Sequence, residues 1–225
     1  MNDYTEVEIS NWNRKEHFFF FQTFEDPIFG LTAEIDCSPI VLFSKNNKIS
    51  LYLLYLFLSL KTANELDEFR MRIIDKKPVI FPQIHAGPTI FREDKTFAFS
   101  FLRYHENFKI FLKKAKEEHE TVMKSTGLNL NDPILNIIHY TTIPWVRFTS
   151  LKHPQNSNSN LSIPKISFGK IYSENKRFLL PIQILAHHSL MDGYHIANFI
   201  NEFQNKIFEF PLKNTFYKKD GKNEE

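Results

Sequence analysis

Apolar residues alternate at period two over Phe178, Leu180, Ile182, Ile184 and Ala186, and His188 falls on the same parity. Just downstream, Ile196, Phe199, Ile200, Phe203 and Ile207 recur at helical spacing. The first pattern predicts a buried strand ended by His188, the second a helix from about residue 194, with a turn at Asp192-Gly193 between them. Earlier in the chain the same reading predicts a helix over 14–22, a turn at Asp26-Pro27, a strand over 29–36 and a buried helix over 50–65. Strands follow near 69–74, 78–82, 88–92 and 96–104. Phe108, Phe111, Leu112, Ala115, Val122 and Met123 give a single apolar face to a charged helix over 105–124. Further strands are expected near 134–142, 145–149 and 163–172. Helices and strands mixed without regular βαβ alternation predict an α+β domain, a two-layer sandwich with a mixed sheet.

No stretch rich in Pro, Gly or Ser divides the chain, so residues 1–212 read as one domain and the Lys-rich stretch 213–225 as a frayed tail. His153-Pro154-Gln155-Asn156-Ser157-Asn158-Ser159-Asn160 is a polar loop inside that domain. The net charge of +2, with 24% charged residues, implies no nucleic-acid surface. With 24 phenylalanines and eight tyrosines the chain has more rings than a pocket needs; most must fill the core. Cys37 is the single cysteine, which excludes an intrachain disulfide and a multi-cysteine metal site. The apolar run Leu51 to Leu60 is too short to span a membrane, and no basic-plus-apolar leader precedes the fold. A cytoplasmic protein without a membrane partner is the expectation.

The candidate chemistry lies in His187-His188-Ser189-Leu190-Met191-Asp192-Gly193. Histidine is the side chain suited to taking a proton from a hydroxyl or thiol near neutral pH. Here two of them close an apolar strand, where an unsatisfied polar group is costly. A metal site built from His187, His188, Asp192 and His195 is disfavoured, because adjacent strand residues face opposite sides and the Asp-Gly turn interrupts any shared helix face. His187 therefore reads as packing or hydrogen-bonding support.

The motif HHxxxDG resembles the signature of acyltransferases that move an acyl group from coenzyme A to a hydroxyl or thiol. Trp12-Asn13-Arg14-Lys15-Glu16-His17-Phe18 looks like the opening helix of chloramphenicol acetyltransferases. Leu31 to Asp36, Glu68-Phe69-Arg70-Met71, Pro144-Trp145-Val146 and Gly193-Tyr194-His195 also resemble segments of that family, in the same order. The resemblance runs from about residue 8 to 208 and implies the fold that this family shares with the dihydrolipoyl acyltransferases. It implies His188 as general base, and Thr141 as oxyanion donor where the family has serine. It also implies an ion pair of Asp192 with Arg14 that braces the turn. Acetyl-CoA is then the co-substrate, with Trp145 beside its pantetheine and Lys48 and Lys170 near its phosphates; no metal is required.

For the acceptor the resemblance implies walls from Phe20, Phe21, Phe29 and Phe97, with Phe21 at a family tyrosine and Ser167 at a family threonine. Arg147, Lys152 and His153 depart from the family pattern: either a cationic lining there favours a more polar or acidic acceptor, or these side chains point to water. Two-copy condensation domains build their site between folds, so a single copy implies a further subunit, and the resemblance implies a homotrimer with sites at subunit interfaces. Lipoyl and subunit-binding modules are lacking, which argues against a dihydrolipoyl acyltransferase core. The expected function is acetylation of a chloramphenicol hydroxyl, the antibiotic's inactivation. Two alternatives stay open: acetylation of a different, more polar hydroxyl compound, and a non-catalytic descendant that only binds a small molecule. An inert His188→Ala substitution would favour the last.

Overall fold

In a computed structural model, residues 4–130, 134–155 and 162–214 are described. The chain runs β1 (Thr5–Glu6), α1 (Lys15–Phe21), β2 (Ile28–Asp36), α2 (Ser38–Asn47), α3 (Leu51–Glu65), α4 (Asp67–Arg70), β3 (Met71–Ile74) and β4 (Lys77–Ile80). It continues with β5 (His85–Phe91), β6 (Phe97–Phe99), α5 (Phe108–Lys124), β7 (Ile137–Thr142), β8 (Lys165–Phe168), β9 (Tyr172–Glu174), β10 (Arg177–His187) and α6 (Gly193–Lys213). The tail beyond Asn214 and most of the polar loop, residues 156–161, lie outside the described residues.

The main sheet has the order β2-β10-β8-β7-β5-β6, with β9 beside β10, and it is mixed: β7 lies parallel to β5 and β8, whereas β10 is antiparallel to β2 and β8. A smaller sheet, β1-β4-β3, stands apart. The expected α+β fold with a mixed sheet is present. Period two sorts the two faces of the main sheet. Ile138 and Tyr140 of β7, Ile166 and Phe168 of β8, and Ile182, Ile184 and Ala186 of β10 are buried in the same core as Leu54, Phe57 and Leu58 of α3 and Phe199, Phe203 and Ile207 of α6. The opposite face carries His139, Thr141, Lys165, Ser167 and Gln183. A second small cluster of Phe18, Met71 and Leu190, with Trp12 packed against it, ties α1 to the turn after β10.

Four expectations need correction. Ser38–Asn47 is a helix that the periodicity did not predict. The strand expected over 145–149 does not form: Ile143 N still pairs with Phe168 O at 2.8 Å, but Pro144 then brings no N–H to continue the ladder. The single strand expected over 163–172 splits into β8 and β9. At the split Gly169 lies where an added Cβ would meet Pro181 and Phe148 at 3.0–3.1 Å. Finally β10 closes at His187, paired with Ile28, and His188 begins the turn.

Candidate active site

The turn after β10 is fixed by its own backbone. His188 N donates to Pro27 O at 2.9 Å, Leu190 N to His187 O at 3.0 Å and Ser189 N to Nδ1 of His187 at 3.2 Å. His187 is thus the expected support. Burial, and then the neighbouring His188, push its pKa down to about 4, so it is a neutral acceptor. Leu190, fully buried against Phe18, anchors the turn to α1.

His188 leaves this turn half-buried, with its ring sandwiched. The Phe21 ring stacks on one face at 3.7 Å and 7°, and the Phe29 ring lies at 4.4 Å and 33°. Nδ1 is buried with no hydrogen-bond partner among the described residues. Nε2 is the ring's accessible nitrogen. Of the expected aromatic wall, Phe21 of α1 and Phe29 of β2 therefore meet His188 directly. Phe20, 59% exposed, touches Phe21 and Phe24 instead.

Arg14 braces the turn from behind. Its Nη1 donates to Oδ2 of Asp192 at 2.6 Å and its Nη2 to the His188 carbonyl at 3.1 Å. One guanidinium thus holds both ends of the turn. Burial works to raise the Asp192 pKa. The hydrogen bond from Arg14, the charges of His195 and Arg14 and the Tyr194 amide outweigh it and hold the carboxyl at about 2. Asp192 also caps α6: its Oδ1 accepts from Tyr194 N at 3.0 Å, while its own N–H donates to Nδ1 of His195 at 3.1 Å. His195 Nε2 faces Glu68 at 3.5 Å, a bracing contact that spacing alone does not reveal.

A second group of predicted residues gathers elsewhere. Thr141 of β7 and Ser167 of β8 are paired, and Gln183 of β10 pairs with Ser167. Trp145 follows β7 and is 59% exposed, with its ring 5.0 Å from Phe91. Phe91 pairs with Phe97, so Phe97 belongs to this group and not to His188. Lys170 is exposed, and its N–H donates to Val146 O at 3.0 Å. Lys48 is exposed in the left-handed turn before α3, whose Tyr55 ring lies 4.8 Å from Phe168. Trp145, Lys170 and Lys48 thus share the end of the sheet where β7 and β8 finish.

These two groups do not meet in one protomer. Gln183 stands level with Thr141, two strands over, and His188 lies five residues further along the chain. Strand geometry makes that about 17 Å lengthwise and about 10 Å sideways. Thr141 also faces the side of the sheet away from the helices. Ser167 is buried and bonded to His153, Nε2 to Oγ at 2.8 Å, a contact unforeseen in the sequence. Arg147, expected near the acceptor, instead pairs with Glu34 at 3.1 Å and stacks on Tyr172 at 3.9 Å. Lys152 is exposed.

The family model described as "CAT: Chloramphenicol acetyltransferase" matches residues 1–204. A chloramphenicol acetyltransferase from Escherichia coli is 31% identical over 202 residues, covering 89% of this chain and 92% of the relative. The one from Proteus mirabilis is 31% identical over 199 residues, covering 88% and 92%. A solved chloramphenicol acetyltransferase superposes with a TM-score of 0.86 at 28% identity, covering 91% of this chain and all of that one. The dihydrolipoamide acetyltransferase of Azotobacter vinelandii shares the fold at a TM-score of 0.66 and 14% identity, covering 88% of each chain.

Proposed function

This chain belongs to the chloramphenicol acetyltransferase family and is an acyltransferase, and from that premise we propose that it transfers the acetyl group of acetyl-CoA to a hydroxyl of chloramphenicol with His188 as general base. The observation that carries the reading is the His188 ring, clamped between Phe21 and Phe29 on a turn braced by Arg14 and Asp192. A base needs one fixed nitrogen facing the acceptor, and clamping both ring faces supplies it.

His188 Nε2 takes the acceptor hydroxyl proton as the oxygen attacks the thioester carbonyl. The Thr141 hydroxyl donates to the resulting oxyanion. Collapse of the tetrahedral intermediate expels the coenzyme A thiolate, which receives the proton from the imidazolium. Trp145 flanks the pantetheine, and Lys48 and Lys170 face the phosphates. Their common position at one end of the sheet supports this. Phe20, Phe21, Phe29 and Phe97 wall the acceptor, and Ser167 serves its polar edge through the bond that holds His153.

A homotrimer completes the site. His188 and Thr141 lie too far apart in one protomer to act on one acceptor, so a neighbour's Thr141 half must face His188. Residues 1–212 act as one folding unit. Action in the cytoplasm is part of this reading; no helix of the described residues is long and apolar enough to cross a membrane.

The test is coenzyme A thiol release from acetyl-CoA, with and without chloramphenicol, beside a His188→Ala variant and a 3-deoxy analogue of the drug. Release that requires both His188 and the hydroxyl is expected. Acetyl-CoA binding without drug-dependent release would overturn chloramphenicol as the acceptor.

A further inference from the structure

The face of the main sheet opposite the helices carries a basic cluster that the proposed chemistry does not use. His139 and Lys165 are directly paired across β7 and β8, one pair away from Thr141 and Ser167 on the same face. His153 reaches in from the loop above to Ser167, and Lys165 Nζ donates to Pro154 O at 3.2 Å, so the loop and strand side chains form one wall. Behind them Arg72 is fully buried. Its guanidinium is held by the backbone carbonyls of Phe69, Met71, Leu135 and Ile137 and, among the described residues, meets no carboxylate.

Among the described residues, no Asp or Glu forms an ion pair or hydrogen bond with His139, His153, Lys165 or Arg72. Glu34, on the same sheet face, is taken by Arg147 and Tyr172. Burial, and then the Lys165 charge, lower the pKa of His153. His139 is pushed down to about 4 by burial and by Lys165, Arg72 and His153 in turn. All the charges acting on His139 have one sign. Burying the Arg72 and Lys165 cations without a counter-charge is costly, and a guest anion removes that cost. A second observation comes from Gln183, only 5% exposed and paired with Ser167. Its Nε2 donates to Thr32 at 3.3 Å, while its Oε1 is buried with no partner among the described residues. The wall beside Ser167 thus also holds a polar end without a partner, ready for a polar group of the guest.

We propose that His139, His153 and Lys165, backed by Arg72, form a subsite for a carboxylate on the acceptor, and that the preferred acceptor is a hydroxyl compound bearing a negative charge. The proposal rests on the acetyl-transfer reading above and deepens it. Lys165 Nζ and the ring N–H groups of the two histidines bind the carboxylate, and the acceptor's hydroxyl extends from there toward His188 of the facing subunit. A neutral acceptor such as chloramphenicol fits the aromatic walls and leaves this subsite unused.

The experiment compares kcat/KM for chloramphenicol with that for two carboxylate analogues. In one the aryl nitro group becomes a carboxylate of the same planar shape; in the other the dichloroacetyl group becomes an oxalyl group. A preference of about tenfold or more for at least one analogue is expected, the scale of a hydrogen bond to a charged group. Lys165→Met should abolish that preference and His153→Leu should reduce it. The ratio of two acceptors on one preparation is insensitive to the fraction of active protein, so partial misfolding does not mimic the result.

Preference for the neutral drug in the parent protein, or an unchanged ratio in Lys165→Met, overturns the proposal. So does loss of assembly in Lys165→Met by sedimentation, which would place a partner subunit's carboxylate on Lys165 instead. If no acceptor of either charge releases thiol, the acetyl-transfer reading fails. Calorimetric binding of the carboxylate analogues, sensitive or insensitive to Lys165→Met, then still decides the subsite.

Discussion

At the scale of single residues, His188 is defined by what its surroundings leave free. Two rings occupy its faces and Nδ1 is sealed, so Nε2 alone is presented. Phe21→Ala opens one face, and the expected result is a kcat lower by up to about 100-fold, the scale of an ångström-sized misplacement. Phe21→Tyr, which keeps the stack, should retain most of the activity in the same thiol-release assay. The acid side of the stability curve separates the neighbours of His188. The His187 pKa, about 4, lies below the ordinary histidine value near 6.5. Its contribution is therefore complete above about pH 6.5 and is lost as pH falls through 4; His85 and His139, also held at about 4, act in the same window. Asp192, at about 2, keeps its ion pair to lower pH and loses it only between about pH 4 and 2. Thermal melts of His187→Gln should show a shallower decline between pH 6.5 and 4 than the parent. Asp192→Asn should melt lower than the parent at pH 7, and the two should converge near pH 2.

At the scale of elements, β2 and β10 form the longest pairing and carry the His188 turn at their shared end. Gly30, opposite Leu185, is where they press closest: an added Cβ would meet Leu185 Cδ2 at 2.3 Å and Ile184 O at 3.0 Å. Gly30→Ala should destabilise by about 1–3 kcal/mol, read from the denaturant midpoint, with part recovered by adding Leu185→Ala. The elements around the motif were legible because β10 and α6 carry long, unambiguous periods. α2 was not, because Ile40–Phe43 is a short apolar run that fits a strand or a helix equally, and Pro39 in the first turn is easily read as a break. The strand expected over 145–149 has the right residue types, yet Trp145 and Val146 are exposed and Pro144 cuts the ladder before them. The bracing pair Arg14–Asp192 was read through resemblance alone. The His153–Ser167 contact joins a loop to a strand fourteen residues on, and no local pattern announces it.

At the scale of the whole molecule, the separation between the His188 and Thr141 groups makes assembly a requirement of the proposed chemistry. A closed ring of three chains gives three equivalent interfaces, each pairing the His188 side of one subunit with the Thr141 side of the next. His188→Ala alone should lose about 10²–10⁴-fold in rate, the usual range for a general base. Thr141→Ala alone should lose about 10²–10³-fold, the usual range for an oxyanion donor. Mixing decides whether the two act across an interface. If subunits of the two variants are denatured together in equal amounts and refolded, random assembly leaves about one interface in four with an intact histidine facing an intact threonine. Thiol release should then recover to about a quarter of the parent rate, well above either variant refolded alone. Were both residues contributed by one chain, every site in the mixture would keep one lesion, and activity would stay at the mean of the two single variants.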